Sequence, residues 1–276
     1  MSTIREVVMV GRVRAGVELA GKSWRVVRSE PSTVIAMLVG TVVAWALGLG
    51  AFVAVFGRLP SGKDMGFPRF LSVFPFLWLV SFCGNCVACF VASLVDARLR
   101  NEPITSVEAA RRTASKLGRI LSWTLLAGLV GLVLYLIAER LRLAGRVAQW
   151  LVGLGWDLAT TFVIPVLVLE DVSVRQSVRR SASLFKRTWA EKVSADVMIG
   201  LVTLVAFIPV AAAVVGVAFV SVPAAIVIGA LLLSLFIAVT NALDTALDVA
   251  TYQYALDGRL TGGFSESDFL SLYKPA

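Results

Sequence analysis

Six stretches of almost uninterrupted apolar residues alternate with short polar, basic ones along this chain. They cover residues 33–56, 70–95, 120–138, 149–169, 197–220 and 222–243. Each is about 20 residues or longer, the length of α-helix that crosses ~30 Å of hydrocarbon. The fifth and sixth runs are separated only by Ser221-Val222-Pro223. Pro223 suits a first helical turn, so this break reads as a tight hairpin.

The polar stretches have a pattern of their own. Thr3-x-x-Glu6, Thr105-x-x-Glu108 and Ser173-x-x-Gln176 each match a capping box, in which a hydroxyl accepts from a first-turn N–H while the acid or amide reaches back. Behind the third cap, Val174, Val178, Ser181, Ala182, Leu184, Phe185, Thr188 and Trp189 fall on one helical arc, and Arg175, Arg179, Arg180, Lys186 and Arg187 on the other. Arg111-Arg112-Thr113-Ala114-Ser115 aligns with Arg179-Arg180-Ser181-Ala182-Ser183, and Lys22-Ser23-Trp24 fits the same frame more loosely. A basic amphipathic helix followed by two crossings thus repeats three times. The expected fold is all-α: a polytopic helical membrane protein with six transmembrane helices in three repeats of amphipathic helix plus two-span hairpin. The single membrane domain covers 1–256, in units of about 1–95, 96–169 and 170–256, and a short cytoplasmic tail covers 257–276.

Charge placement orients this fold. Twenty of the 26 Lys and Arg residues lie in the segment before the first span, between spans two and three, between spans four and five, and in the tail; six lie on the opposite side. The positive-inside rule puts both termini in the cytoplasm, in a cell (inner or plasma) membrane. The first 32 residues carry six basic residues and no continuous apolar stretch, so no cleavable signal peptide is expected.

Composition narrows the chemistry. The net charge of +8 fits anionic lipid at the membrane surface rather than nucleic acid, for which no binding signature is present. Histidine is absent, which removes Ser-His-Asp and Cys-His nucleophile pairs and His-bound zinc. No phosphate-binding glycine loop or nucleophile elbow appears. Cys83, Cys86 and Cys89 lie inside one apolar run, and steps of three spread them around a helix, so neither a disulfide framework nor a metal site is expected. No cofactor is implied, and the chain reads as no enzyme.

Two polar sets stand out. Asp157 sits near mid-depth in the fourth span, where an ionisable residue is costly. With Asn85 and Thr160 as candidate neighbours, it is a proton, cation or substrate contact, or else a buried structural acid. Asn241, Asp244 and Asp248 form a stripe with Tyr252 at helical spacing toward the inner rim, where Asp96 and Asp196 also lie. These acids are expected to pair with the basic helices, the other reading being a cytoplasmic cation-binding vestibule. Arg111, Arg112, Arg175, Arg179, Arg180, Lys186 and Arg187 are the candidate contacts to lipid phosphate. Ala36, Gly40, Ala44 and Gly48, with Gly84, Ala88 and Ala92, form ridges that let helix backbones approach, within one chain or between subunits.

Trp156-Asp157-Leu158-Ala159-Thr160-Thr161-Phe162-Val163-Ile164-Pro165-Val166-Leu167 and Arg180-Ser181-Ala182-Ser183-Leu184-Phe185-Lys186-Arg187-Thr188-Trp189-Ala190-Glu191 resemble a family of multi-span prokaryotic membrane proteins with no assigned function. More distantly, the layout of basic helix then hairpin is similar to the membrane domain fused to some glycerophosphodiesterases, without their catalytic domain. The resemblance implies a membrane fold and supplies no functional residues. The expected function is a non-enzymatic integral membrane protein that self-assembles into a homo-oligomer and organises the membrane through its basic helices and anionic lipids. The alternative is a transporter or channel for a small solute or ion using Asp157.

Overall fold

The computed structural model describes residues 21, 23–57 and 67–257; the cap at Thr3-x-x-Glu6 and the tail lie outside them. Among the described residues there is no strand. Residues 23–29 are helical and lead, among the described residues, into seven helices: α1 (Pro31–Phe56), α2 (Phe67–Leu99), α3 (Ser106–Ser115), α4 (Leu117–Thr160), α5 (Val163–Leu169), α6 (Val174–Ala218) and α7 (Val222–Asp257). Among the described residues six segments are long and apolar enough to cross a membrane: Pro31–Ala54, Phe74–Leu99, Leu117–Ala138, Gln149–Leu169, Ile199–Ala218 and Val222–Leu256. The chain is a multi-pass helical membrane protein.

Local chemistry sets the breaks. Glu30 leaves helical geometry (φ −129°, ψ 81°) and Pro31 takes the first position of α1, where its missing N–H costs nothing. α1 ends at Gly57, whose φ of 64° is in the left-handed region that glycine enters freely. Thr105 Oγ1 accepts from the Glu108 N–H to cap α3. The Glu108 carboxylate turns to Arg112 (3.0 Å) instead of reaching back. At Ser173 the reciprocal box forms, with Gln176 Oε1 accepting from the Ser173 N–H at 2.9 Å.

The third and fourth spans lie on one long helical stretch, α4, yet form a hairpin. Straight helix would separate Trp123 and Trp156 by about 50 Å. Their rings stack at 6.0 Å, so the chain doubles back between them. The helical segment behind the Ser173 cap likewise runs into the fifth span as α6, bent at Thr188 (φ −125°, ψ 20°). After α6, Phe219–Ser221 turn the chain within three residues into α7, as the Pro223 signal implied.

Tight burial is concentrated at the end of the bundle where the charged residues gather. Cys89, Val91, Ala92 and Val95 of α2, Ile120 of α4, Val163 and Leu167 of α5, and Ala238, Ala242, Ala246 and Leu247 of α7 form the core there. Toward the other end apolar side chains stay exposed, among them Leu204, Val205 and Ile208 of α6. Water would penalise that surface, whereas lipid tails are as apolar as the side chains.

α1 packs on α2 through one very close approach. A Cβ on Gly40 would lie 2.7 Å from Val87 Cγ2, so any larger residue at that crossing would force the Val87 side chain to shift. The small-residue ridge of α1 is thus engaged within the chain at this point.

Candidate functional site

Three polar regions are built on this frame. The first is a network at the charged end. α5 is separated from α4 because Pro165 has no N–H and its ring collides with the carbonyl four residues back, that of Thr161. Phe162 leaves helical geometry (φ −95°, ψ 8°), and its N–H donates to Ser181 Oγ of α6 at 3.0 Å, both residues being fully buried. That bond docks α6 against the fourth span. Beyond α5, Glu170 Oε1 accepts from the Tyr252 hydroxyl of α7 (2.9 Å) and from Arg180 Nε of α6 (3.3 Å). Asp96, buried at the end of α2, accepts from Gln253 Nε2 of α7 (2.7 Å) and from Arg100 Nε (3.1 Å). Arg98 reaches Glu30 at 3.8 Å.

Asp171 completes this network at the surface. Its carboxylate accepts from Lys116 Nζ (2.8 Å) and from Arg119. These hydrogen bonds and the two positive charges hold it down at about 2, below the usual carboxylate range. Glu170, Asp171 and Gln253 escaped the sequence reading. The available signal was a pair of acids directly after the last apolar residue of the fourth span and just before a helix cap.

The second region is a groove of about 610 Å³ between α1, α2 and α7. Small residues Gly40, Ala44, Gly84 and Ala88 form its apolar wall. Thr41, Asn241, Asp244, Thr245 and Asp248 supply its polar side. The structure thus brings Asn241, Asp244 and Asp248 together on one groove, while Asp96 belongs to the network and Asp196 lies half-buried on α6. Gln253 lies nine positions after Asp244 on α7, about 14 Å of helix, so the acid stripe runs from the charged end well into the membrane-spanning part.

The third region surrounds Asp157. Its side chain is exposed in a cleft of about 590 Å³ between the two arms of α4, together with Gln149, Trp150 and Trp156. Neither predicted neighbour bonds the Asp157 carboxylate, although the Thr160 hydroxyl reaches the Asp157 backbone carbonyl at 3.4 Å. Asn85 Nδ2 donates to Thr124 Oγ1 at 2.8 Å, joining α2 to α4. Thr160 Oγ1 donates to the Trp156 backbone carbonyl at 2.8 Å.

The basic residues divide as well. Ser177, Ser181, Leu184 and Thr188 of α6 are buried, and Leu184 packs with Phe162, Val166 and Tyr252. Arg175, Arg179, Lys186 and Arg187 are exposed and, like Arg111 on α3, have no acidic partner among the described residues. Arg180 and Arg112 are paired, to Glu170 and Glu108. Among the described residues no group of three or more His, Cys, Asp or Glu side chains could hold a metal ion.

No curated protein matches the sequence. A family model of unknown function, DUF6159, matches residues 67–263, which takes in every helix from α2 to α7. By that match, over most of its length, the chain belongs to the DUF6159 family, a family of unknown function.

Proposed function

We propose that this protein is a non-enzymatic, self-assembling integral membrane protein that presents a basic surface to anionic lipid and so organises or stabilises the cytoplasmic face of the membrane. The observation that carries the reading is the division of labour on α6. Its apolar side is spent on the protein core, while Arg175, Arg179, Lys186 and Arg187 stay exposed without acidic partners among the described residues. A helix docked in this way cannot sink its apolar face into lipid, so its attraction to the membrane is electrostatic. Each such cation near an anionic surface contributes about 1 kcal/mol.

In this reading the fold is three units of cap, basic helix and hairpin, with both termini cytoplasmic. Two features support the repeat. Thr105 and Ser173 both cap, and Thr113 and Ser181 occupy the same position relative to those caps, both buried. Lys116 (φ −107°, ψ 3°) and Thr188 (φ −125°, ψ 20°) then make similar backbone breaks, the second about one helical turn further on.

The test is binding of the purified protein, in nanodiscs, to anionic lipid, measured by native mass spectrometry. Neutralising Arg175, Arg179, Lys186 and Arg187 to Gln removes the preference for anionic over zwitterionic lipid, while Arg180→Gln perturbs the network with Glu170 instead. An unchanged lipid preference in the fourfold variant overturns the proposal.

A second reading has its own support. The exposed Asp157 carboxylate, set inside a cleft within a membrane span, fits a carrier for a small solute. It requires solute-linked flux in proteoliposomes that Asp157→Asn abolishes.

A further inference from the structure

The cleft between the arms of α4 combines three recognition elements. Asp157 lies eight residues from Gln149, about 12 Å into a span that begins there, and so near the middle of the membrane. Its carboxylate has no hydrogen-bond or salt-bridge partner among the described residues, a costly condition at that depth. Two tryptophans line the same cleft: Trp150, 66% exposed, and Trp156, which is steadied by stacking on Trp123. The face of an indole ring attracts a cation, the more so when the cation is desolvated. The remaining wall is apolar, formed by Ala127, Gly131, Leu134 and Leu154. A volume of about 590 Å³ is that of a small-molecule site, mostly apolar with a few placed polar groups.

We propose that this cleft binds a lipophilic organic cation, its charge against Asp157 and the indole rings and its apolar body against the arm carrying Ala127, Gly131 and Leu134. The proposal rests on the carrier reading of Asp157 and names its substrate class. A hard inorganic cation is a poor fit. Ca²⁺ takes six or more oxygen ligands, and the polar side chains lining the cleft are the Asp157 carboxylate and the Gln149 amide. Anions are repelled by the same carboxylate. An organic cation needs no such ligand shell, and its apolar body gains from leaving water.

The experiment is equilibrium binding of radiolabelled tetraphenylphosphonium to the full chain in nanodiscs of zwitterionic lipid, with empty nanodiscs as the blank. The expected result is saturable binding, one site per chain, weakened tenfold or more by Asp157→Asn and several-fold by Trp150→Leu, and retained by Asp157→Glu. The uncharged analogue triphenylphosphine does not compete. Binding no greater than to empty nanodiscs overturns the proposal, as does equal affinity in Asp157→Asn or equal competition by triphenylphosphine. Should Asp157→Asn fail to fold, the exposed Trp150→Leu variant decides, and unchanged affinity there refutes the site. Gly153→Cys, in a chain whose Cys83, Cys86 and Cys89 are replaced by Ala, probes a second copy of the chain as occupant. Cross-linked dimers that tetraphenylphosphonium does not suppress overturn the proposal in favour of a subunit interface. Saturable binding without flux removes the carrier reading and leaves the site standing.

Discussion

Ser181→Ala isolates the bond that docks the basic part of α6 on the fourth span. In an unbroken helix the Phe162 N–H would donate to the Leu158 carbonyl; with the helix broken before Pro165 it donates to Ser181 Oγ at 3.0 Å. Both residues are fully buried. Alanine removes the acceptor and leaves an N–H with no water to turn to, a loss of about 1–3 kcal/mol. Ser177→Ala is the matched control. That hydroxyl is equally buried but donates to the Ser173 carbonyl, which already accepts from the Ser177 N–H. Its removal orphans nothing and costs at most about 0.5 kcal/mol by the same reasoning. Unfolding in mixed micelles of mild detergent and dodecyl sulfate, followed by tryptophan fluorescence, measures both. Pro165→Ala sharpens the test. It permits the helix to continue, so the Phe162 N–H regains a carbonyl partner and Ser181→Ala becomes nearly neutral in that background. If Ser181→Ala costs no more than Ser177→Ala, or costs the same with and without Pro165, the proline-and-serine account of this junction is wrong.

Two further predictions follow from the packing and the charged end. Gly40→Ala forces a methyl to within 2.7 Å of the stiff Val87 side chain and destabilises by about 1–3 kcal/mol, whereas Gly84→Ala, with open space around its Cβ, does not; adding Val87→Ala restores most of the loss in the same unfolding assay. The Asp171 carboxyl titrates at about 2 by carbon NMR in micelles, and replacing Lys116 and Arg119 with Gln returns it toward 3.8. Because the folded value is depressed, the interaction is at full strength above pH 3.8 and is lost as pH falls through about 2, so a midpoint near 3.8 in the unsubstituted protein refutes the pairing.

How legible the site was depends on the kind of residue. Asp157 is an acid in an apolar run, and such an anomaly shows in one dimension. Its supposed partners do not, because helix phase alone cannot say which neighbouring helix a polar side chain meets: Asn85 faces Thr124 on α4. The stripe Asn241, Asp244 and Asp248 was visible as a spacing, yet its setting depends on how α1 and α2 lie against α7. In one dimension Glu170 and Asp171 are two acids at the end of an apolar run. Only the approach of Tyr252, from 82 residues away, and of Lys116, from 55, makes them the fasteners of the charged end.

Local chemistry along the chain determined the six apolar segments, the caps at Thr105 and Ser173, the start of α1 at Pro31 and the turn before Pro223, because each depends on residues within a few positions of one another. Tertiary structure alone decided that Trp123 stacks on Trp156, that Ser181 takes the N–H released near Pro165, and that Arg180 is paired while Arg179 is exposed. Lipid explains the difference. A uniform apolar solvent selects for length and hydrophobicity but is indifferent to which helix faces which, so packing and hydrogen bonds between distant residues make that choice.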